Sequence, residues 1–351
     1  MQYTFDHLNP IPVRTWDKLQ VNDTSLSGEA GAYTPGGMTL SSNPMGWNIS
    51  MDTQADQGAY TDTLSAVLPT DTSSSDPLEV TVRATESGTS LRGQISILAS
   101  ENSDGTVILS VNSNSAALTA IAPALYTLDL NVQLQKNSHL SLVLLQDLPM
   151  TDTFLFTGKI TEEQGAHCET FLLTIGAERS VLSCELDLAG DEAQGNITAI
   201  YLGDGDRSSN MNVRIDYSGA ATKGDIRVKN MLRDKSRKIL RDTLDFRRGA
   251  HGAVGREEED TMVLSPGVRN LSVPLLLCAE DDVSGEHAAS TGRPDEAKIF
   301  YLMCRGLTRT QAEELLVEGA FNECIEAVPS EAIRDRVRIA IRDTVSGRAL
   351  S

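Results

Sequence analysis

The chain has 351 residues, 40% of them hydrophobic, enough for one elongated domain or two ordinary ones around a sizeable core. Lys and Arg total 30 against 49 Asp and Glu, and the net charge of −19 excludes a general nucleic-acid binder, whose phosphate contacts need an excess of base. The start, MQYTFDHLNPIPVRTWDKL, lacks a basic stretch followed by an apolar run, and no segment reaches the roughly 18 uninterrupted apolar residues of a membrane span, so a cytoplasmic protein without membrane contact is expected.

In chain order, residues 1–77 read as an irregular N-terminal segment: a Pro-flanked NPIPVRTWDKLQVN, a Gly-rich GEAGAYTPGG, and a polar TDTSSSDP that ends at Pro77 as a linker or exposed loop. From Leu78 to Cys278 the texture changes to short alternating runs such as TLDLNVQL, TFLFTGKI, SVLSCELDL and MNVRIDYSG, divided by Gly, Asn, Asp and Ser. In TLDLNVQL, Leu128, Leu130, Val132 and Leu134 share one face while Asp129, Asn131 and Gln133 share the other, so each strand buries one side. The runs recur at roughly 10 to 16 residues with no helical pattern between them, which fits an all-β solenoid, sandwich or barrel. Tight-hairpin signals are scarce, SDGT and GDGD being two, and this favours a β-helix over a sandwich.

At Pro294 the pattern turns helical, with Pro in the first turn, Asp295 and Glu296 at the positive end of the dipole and Gly306 past the stop. Thr308 with Gln311 forms a capping box for a second helix predicted to end at Gly319, and a third starts after Pro329 and Ser330 with Ile333, Val337, Ala340 and Ile341 on one face. The division is therefore a segment 1–77, a β body 78–293 and a helical unit 294–351.

The five cysteines (Cys168, Cys184, Cys278, Cys304, Cys324) are far apart with no C-x-x-C, so reduced thiols are expected and any metal site must be assembled in space or shared with another chain. His167 and Cys168 point to opposite faces of a strand and cannot readily chelate one ion; Cys184 and Cys278 read as core residues. The run REEED, Arg256 to Asp260, could serve a hard cation, but consecutive carboxylates on a strand diverge, and a solvated edge is the expectation. Between Lys223 and Arg248, ten Lys or Arg stand against four Asp or Glu; this is either a contact for an acidic partner or the outward face of strands such as IRVKN and LRDTLDF. Signatures G-x-S-x-G, H-E-x-x-H and Walker A are missing, so ATP chemistry would need another chain. His287 comes after the last predicted strand, beside Glu286 and followed by small residues, and the residues alone leave open a ligand or a plain polar residue at the end of the core.

Four segments in one order carry a resemblance: DFRRGAHGAVGREEED from Asp245, Ser272 to Leu276, the Glu286-His287-Ala288-Ala289 run, and FYLMCRG from Phe300 to Gly306. Together they resemble the SufB/SufD family of iron–sulfur cluster assembly proteins, strongly over the last 110 or so residues. PIPVRTWDKLQVN is similar to the Trp-bearing N-terminal segment of SufD-type members. The resemblance implies a right-handed parallel β-helix with an irregular N-terminal segment and a C-terminal α-helical unit. It also implies a complex with a SufC-type ABC ATPase docked through the C-terminal helices, for which Phe300, Tyr301, Arg305, Gly306, Leu315 and Leu316 are the partner-binding candidates.

The resemblance further implies pairing through the β-helix with a SufB-type subunit or with a second copy. The essential cysteine of SufB members falls here at Glu259, which favours the SufD type. The family histidine falls at His287, a candidate ligand of the nascent cluster at the subunit interface, with Glu286 a weaker one; imidazole is a competent iron ligand. Two departures are Ala288 where the family has Gly and Cys304 where it has Ser. The expected protein is a scaffold subunit and not an enzyme, with no tightly bound cofactor of its own and a transient iron–sulfur cluster in the complex. The rivals are a β-helix carbohydrate-active enzyme and a structural family member with no ligand role.

Overall fold

The computed structural model describes residues 1–14, 19–56, 59–86, 88–113 and 123–347, so the Trp of the N-terminal motif, Trp16, lies outside the described residues. Contrary to expectation, the first 77 residues carry five strands: β1 (Gln2–Leu8), β2 (Thr24–Glu29), β3 (Met38–Ser42), β4 (Asn48–Asp56) and β5 (Ala59–Leu68). The β body continues with β6 (Leu78–Val82), β7 (Leu91–Ala99), β8 (Asp104–Asn112), β9 (Leu125–Leu134), β10 (His139–Asp147), β11 (Thr153–Glu162), β12 (His167–Thr174) and β13 (Arg179–Leu188). It ends with β14 (Gln194–Gly203), β15 (Ser208–Tyr217), β16 (Lys223–Leu232), β17 (Arg237–Phe246), β18 (Ala253–Val263), β19 (Arg269–Cys278) and β20 (Val283–Gly292).

From β5 on, successive strands alternate between two sheets, and each strand pairs in parallel with the next but one, building a parallel β-helix of about eight turns. One sheet runs β3, β6, β8 and on through the even strands to β20; the other runs β4, β5, β7 and on through the odd strands to β19. β3 and β4 join antiparallel and close one end, where an unpaired edge would otherwise offer its backbone groups to another chain. At the other end β19 and β20 each have one neighbour among the described strands.

The alternation read from TLDLNVQL holds: Leu128, Leu130, Val132 and Leu134 are buried and Asp129, Asn131 and Gln133 exposed. Inward residues of both sheets, among them Leu172, Ala199 and Val228 from one and Val213, Leu240 and Leu244 from the other, form one continuous core inside the solenoid. Corners are held by stacked side chains: Asn137 Nδ2 donates to Asn102 Oδ1 (3.3 Å) and Asn102 Nδ2 to Asp71 Oδ1 (2.9 Å). All three sit at φ of 55–56°, the left-handed conformation that Asn and Asp tolerate better than most side chains.

The outward face of the even sheet is also apolar, and it is covered by the helices α2 (Arg309–Glu326) and α3 (Glu331–Ser346), with α1 (Glu296–Cys304) packed against α2. Val317, Phe321 and Ile325 of α2 and Ile333, Val337 and Ile341 of α3 pack on Val143, Phe171, Leu173 and Ile200. Each such side chain contributes about 1.5–3 kcal/mol. Pro294, expected in the first turn, precedes the N-cap Asp295 of α1; the Thr308–Gln311 capping box is formed; Ser330 caps α3. Helix α2 runs past Gly319 to Glu326, because the buried row Val317, Phe321, Cys324 and Ile325 outweighs the ~1 kcal/mol cost of one Gly in a helix.

The outward face of the odd sheet is covered near β17 and β19 by the N-terminal segment. Ile11 and Val21 pack on Ile239, Leu271 and Val273. The Arg241 guanidinium beneath them donates to the carbonyls of Val21 (2.5 Å) and Asp23 (3.1 Å) and to Asn210 Oδ1 (2.5 Å). Burial pushes Arg241 down to about 10. The segment LRDTLDF thus does not present a solvated polar face.

Candidate functional site: a polar mouth at the open end of the solenoid

Parallel in-register pairing stacks residues into columns that run along the solenoid axis. One inward column passes Thr170, Ile197 and Ile226 before reaching Glu257 on β18 and His287 on β20. A second passes Leu172, Ala199 and Val228 before Glu259, and a third passes Cys184 and Val213 before Asp242 on β17. The interior is apolar along most of these columns and turns polar in the last two rungs.

Contrary to the expected solvated edge, Glu257 and Glu259 of the REEED run are buried, while Arg256 is exposed and Glu258 and Asp260 half-buried. Strand alternation puts Ala253, Gly255, Glu257, Glu259 and Thr261 on the inner side, and the rungs beneath shut water out. Lys238 and Asp242 point inward as well and are buried, against the expectation of outward polar faces. His287 does not follow the last strand; it lies on β20, paired with Glu257. β20 reads SGEHAASTG in its middle, poor in β-branched residues, and is held as a strand by pairing to β18.

Lys238 Nζ makes an ion pair with Glu259 Oε1, which also accepts from Asn230 Nδ2 (3.0 Å) and Thr261 Oγ1 (2.9 Å). Burial pushes the Lys238 ammonium down, and the Glu259 carboxylate opposes that shift. With a cation and two donors on Oε1, Glu259 has the chemistry of a structural counter-ion rather than of a free ligand.

Asp242 faces Glu257. Neither Asp242 oxygen has a hydrogen-bond partner among the described residues, and burial, followed by the Glu257 carboxyl beside it, raises the Asp242 carboxyl well above its ordinary range. Two carboxyls in contact in a dry site share a proton. The Glu257 carboxyl is raised by burial as well, and Asp242 beside it opposes that rise. From the other side Glu257 Oε2 lies 3.0 Å from His287 Nδ1; the Glu257 side chain is 3% exposed and that of His287 47%. Asp242, Glu257 and His287 line a cavity of about 70 Å³ together with Leu244, Pro274 and Leu276.

Glu286 alternates to the opposite side of β20 from His287, and the two do not converge on one ion. Among the described residues no group of three or more His, Cys, Asp or Glu converges as a metal site. Cys278, expected in the core, is exposed, since its column ends on the last rung above the buried Phe246. Cys304 is exposed on α1, whereas Cys168 and Cys184 are buried inside the solenoid, where burial raises both thiols, Cys184 to about 12. His167 lies outside, its Nε2 2.9 Å from Glu169 Oε1.

The helical candidates follow β20 directly in the chain, on α1 and α2. Phe300 (69% exposed), Tyr301 (56%) and Leu315 (52%) stand out from α1 and α2, and Arg305 stacks its guanidinium 5.0 Å from the Tyr301 ring centre. Gly306 is exposed and Leu316 half-buried. Glu257 was weighed only within the REEED run, and Lys238 and Asp242 only within the basic stretch, none of them as inward-facing; the alternation of AVGREEEDTMV carried a signal for Glu257 and Glu259, which share a side with Ala253 and Gly255.

The family model described as "SUF system FeS cluster assembly, SufBD core domain" matches residues 82–320. The iron–sulfur cluster assembly protein SufD of Bacillus subtilis (strain 168) is 30% identical over 151 residues, 43% of this chain and 35% of that protein. An iron–sulfur cluster assembly SufBD family protein of Mycobacterium leprae (strain TN) is 28% identical over 184 residues, 48% of this chain and 45% of the relative. One of Mycobacterium bovis is 25% identical over 177 residues, 50% of this chain and 21% of the relative. The chain thus covers less than half the length of each of these relatives.

Proposed function

The chain belongs to the SufBD family of the SUF iron–sulfur cluster assembly system, and on that premise we propose that it is a SufD-type scaffold subunit, not itself an enzyme. In this reading it pairs with a SufB-type subunit through β19 and β20, receives a SufC-type ATPase on α1 and α2, and offers His287 as one ligand to a cluster in transit.

One observation carries the proposal: His287 stands half-exposed on the edge strand at the open mouth of the solenoid, backed by buried Glu257. An edge strand with one neighbour can extend its sheet into a partner. A histidine on that strand then meets ligands contributed by the partner, which accounts for a lone imidazole with no companions of its own. Glu259, at the position of the SufB cysteine, is tied up by Lys238 and leaves thiolate chemistry to the partner. The cluster is cargo, assembled and passed on.

The test is co-expression with SufB-type and SufC-type partners. His287→Ala should leave the complex intact on a pull-down and remove most of the iron–sulfur absorbance; unchanged cluster yield would reject the ligand role and leave a structural family member. Phe300→Glu with Tyr301→Glu should abolish ATPase capture while leaving the fold untouched, because both side chains lie in solvent. Retained capture would move the docking surface elsewhere.

A further inference from the structure

We propose that Glu257 is the positioning residue for His287: it accepts the Nδ1 proton in a hydrogen bond, fixes the imidazole as its Nδ1–H tautomer and leaves Nε2 as the donor atom facing the mouth. The inference rests on reading His287 as a cluster ligand and adds which nitrogen binds and what holds it.

Register puts the two residues on adjacent rungs, with Glu257 the Cα partner of His287 and the two side chains on the same inner side. The contact of 3.0 Å uses Nδ1, and Nε2 makes no hydrogen bond to a described residue. Glu257 cannot swing away to solvent, being 3% exposed, with Asp242 on its other side. Leu244, Pro274 and Leu276 wall one side of the small cavity beside the pair. The imidazole is half-exposed, and its engaged nitrogen is Nδ1. An imidazole that donates one N–H to a carboxylate presents the lone pair of the other nitrogen in a fixed direction and as a stronger donor, the arrangement common to metal-binding histidines.

Two readouts separate this proposal from the ligand role beneath it. In the isolated full chain labelled with ¹⁵N-histidine, long-range ¹H–¹⁵N spectra should show Nδ1 protonated and Nε2 unprotonated for the resonance that disappears in His287→Ala. Glu257→Leu should abolish that tautomer preference, and Glu257→Gln, which keeps an acceptor oxygen, should restore it. In the assembled complex Glu257→Leu should lower cluster yield about tenfold, the scale on which outer carboxylates act on metal affinity, with Glu257→Gln close to the parent. The proposal is overturned by an Nε2–H signal in the parent chain, or by an Nδ1–H signal that survives Glu257→Leu. It is overturned equally if Glu257→Leu leaves cluster yield unchanged while His287→Ala abolishes it. If His287→Ala itself leaves the yield unchanged, the ligand reading fails, whatever the tautomer.

Discussion

Among the described residues, the buried acids of the solenoid interior at Glu162 and at the mouth are treated differently. Midway, Glu162 on β11 is fully buried, neither of its oxygens completes a hydrogen bond among the described residues although the backbone N–H groups of Cys168 and Gln194 point toward it, and burial drives its carboxyl well above the ordinary range. At the mouth, Lys238, Asp242, Glu257 and Glu259 are as deeply buried but face one another, and the chain of contacts leads out to His287. A lone acid in a dry core is neutralised by its proton and can do little chemistry. A group of them beside an opening can hold charge, pass a hydrogen bond along and orient a residue that meets solvent.

The largest expected effect comes from breaking the pairing at the mouth. Lys238→Met leaves the Glu259 carboxylate buried without its cation and should cost about 3–5 kcal/mol, read as a fall in the urea midpoint of the full chain. Adding Glu259→Leu should recover most of the loss, since a buried ion pair exchanged for apolar packing is close to neutral. A single variant that unfolds at the parent midpoint would mean that the mouth is wetter than its burial indicates, and the contrast with Glu162 would collapse.

How far each region was legible follows the same divide. Strand alternation exposed the apolar columns, as in Leu128 to Leu134, and capping chemistry located α2 and α3 through Thr308 and Ser330. The mouth was not legible, because a carboxylate in a run of carboxylates defaults to solvent until the register says which side of the strand faces in. Glu257 and Glu259 face in only because β18 stacks on β16. Cys278 shows the converse: its apolar run VPLLLC looks like core, and it is exposed because no described strand stacks beyond β19. β20 lacked a strand signal altogether, and His287 was found by its motif, not by its geometry.

The second prediction sharpens the other side of the contrast. Glu162 has a folded-state carboxyl well above its unfolded value, so the unfolded chain releases its proton first as pH rises, and folded stability falls from the ordinary carboxylate range upward. Glu162→Gln removes that loss. Its stability relative to the parent should grow from near zero at pH 4 to about 1–3 kcal/mol at pH 8, the scale for relieving an unsatisfied buried polar group. A difference curve that is flat with pH would show that Glu162 is ionised and has found a counter-ion.

The smallest effect expected is at Asp242, and it is the most discriminating. Its carboxyl is also raised, so the same sign applies: the parent loses stability relative to Asp242→Asn as pH climbs above the ordinary carboxylate range. Asn imitates a protonated Asp, keeping an N–H for Glu257, so the substitution should change stability by no more than about 0.5 kcal/mol at pH 5. Above that, the gain should stay below the one at Glu162, because Asp242 can lean on Lys238 when it ionises and Glu162 has no such neighbour. A gain at Asp242 larger than at Glu162 would reverse the ranking of the two places, making the mouth the drier and the more strained. A clear loss at pH 5 would instead place a charge on Asp242 that Lys238 balances together with Glu259, and the donor to Glu257 would have to be sought on the imidazole alone.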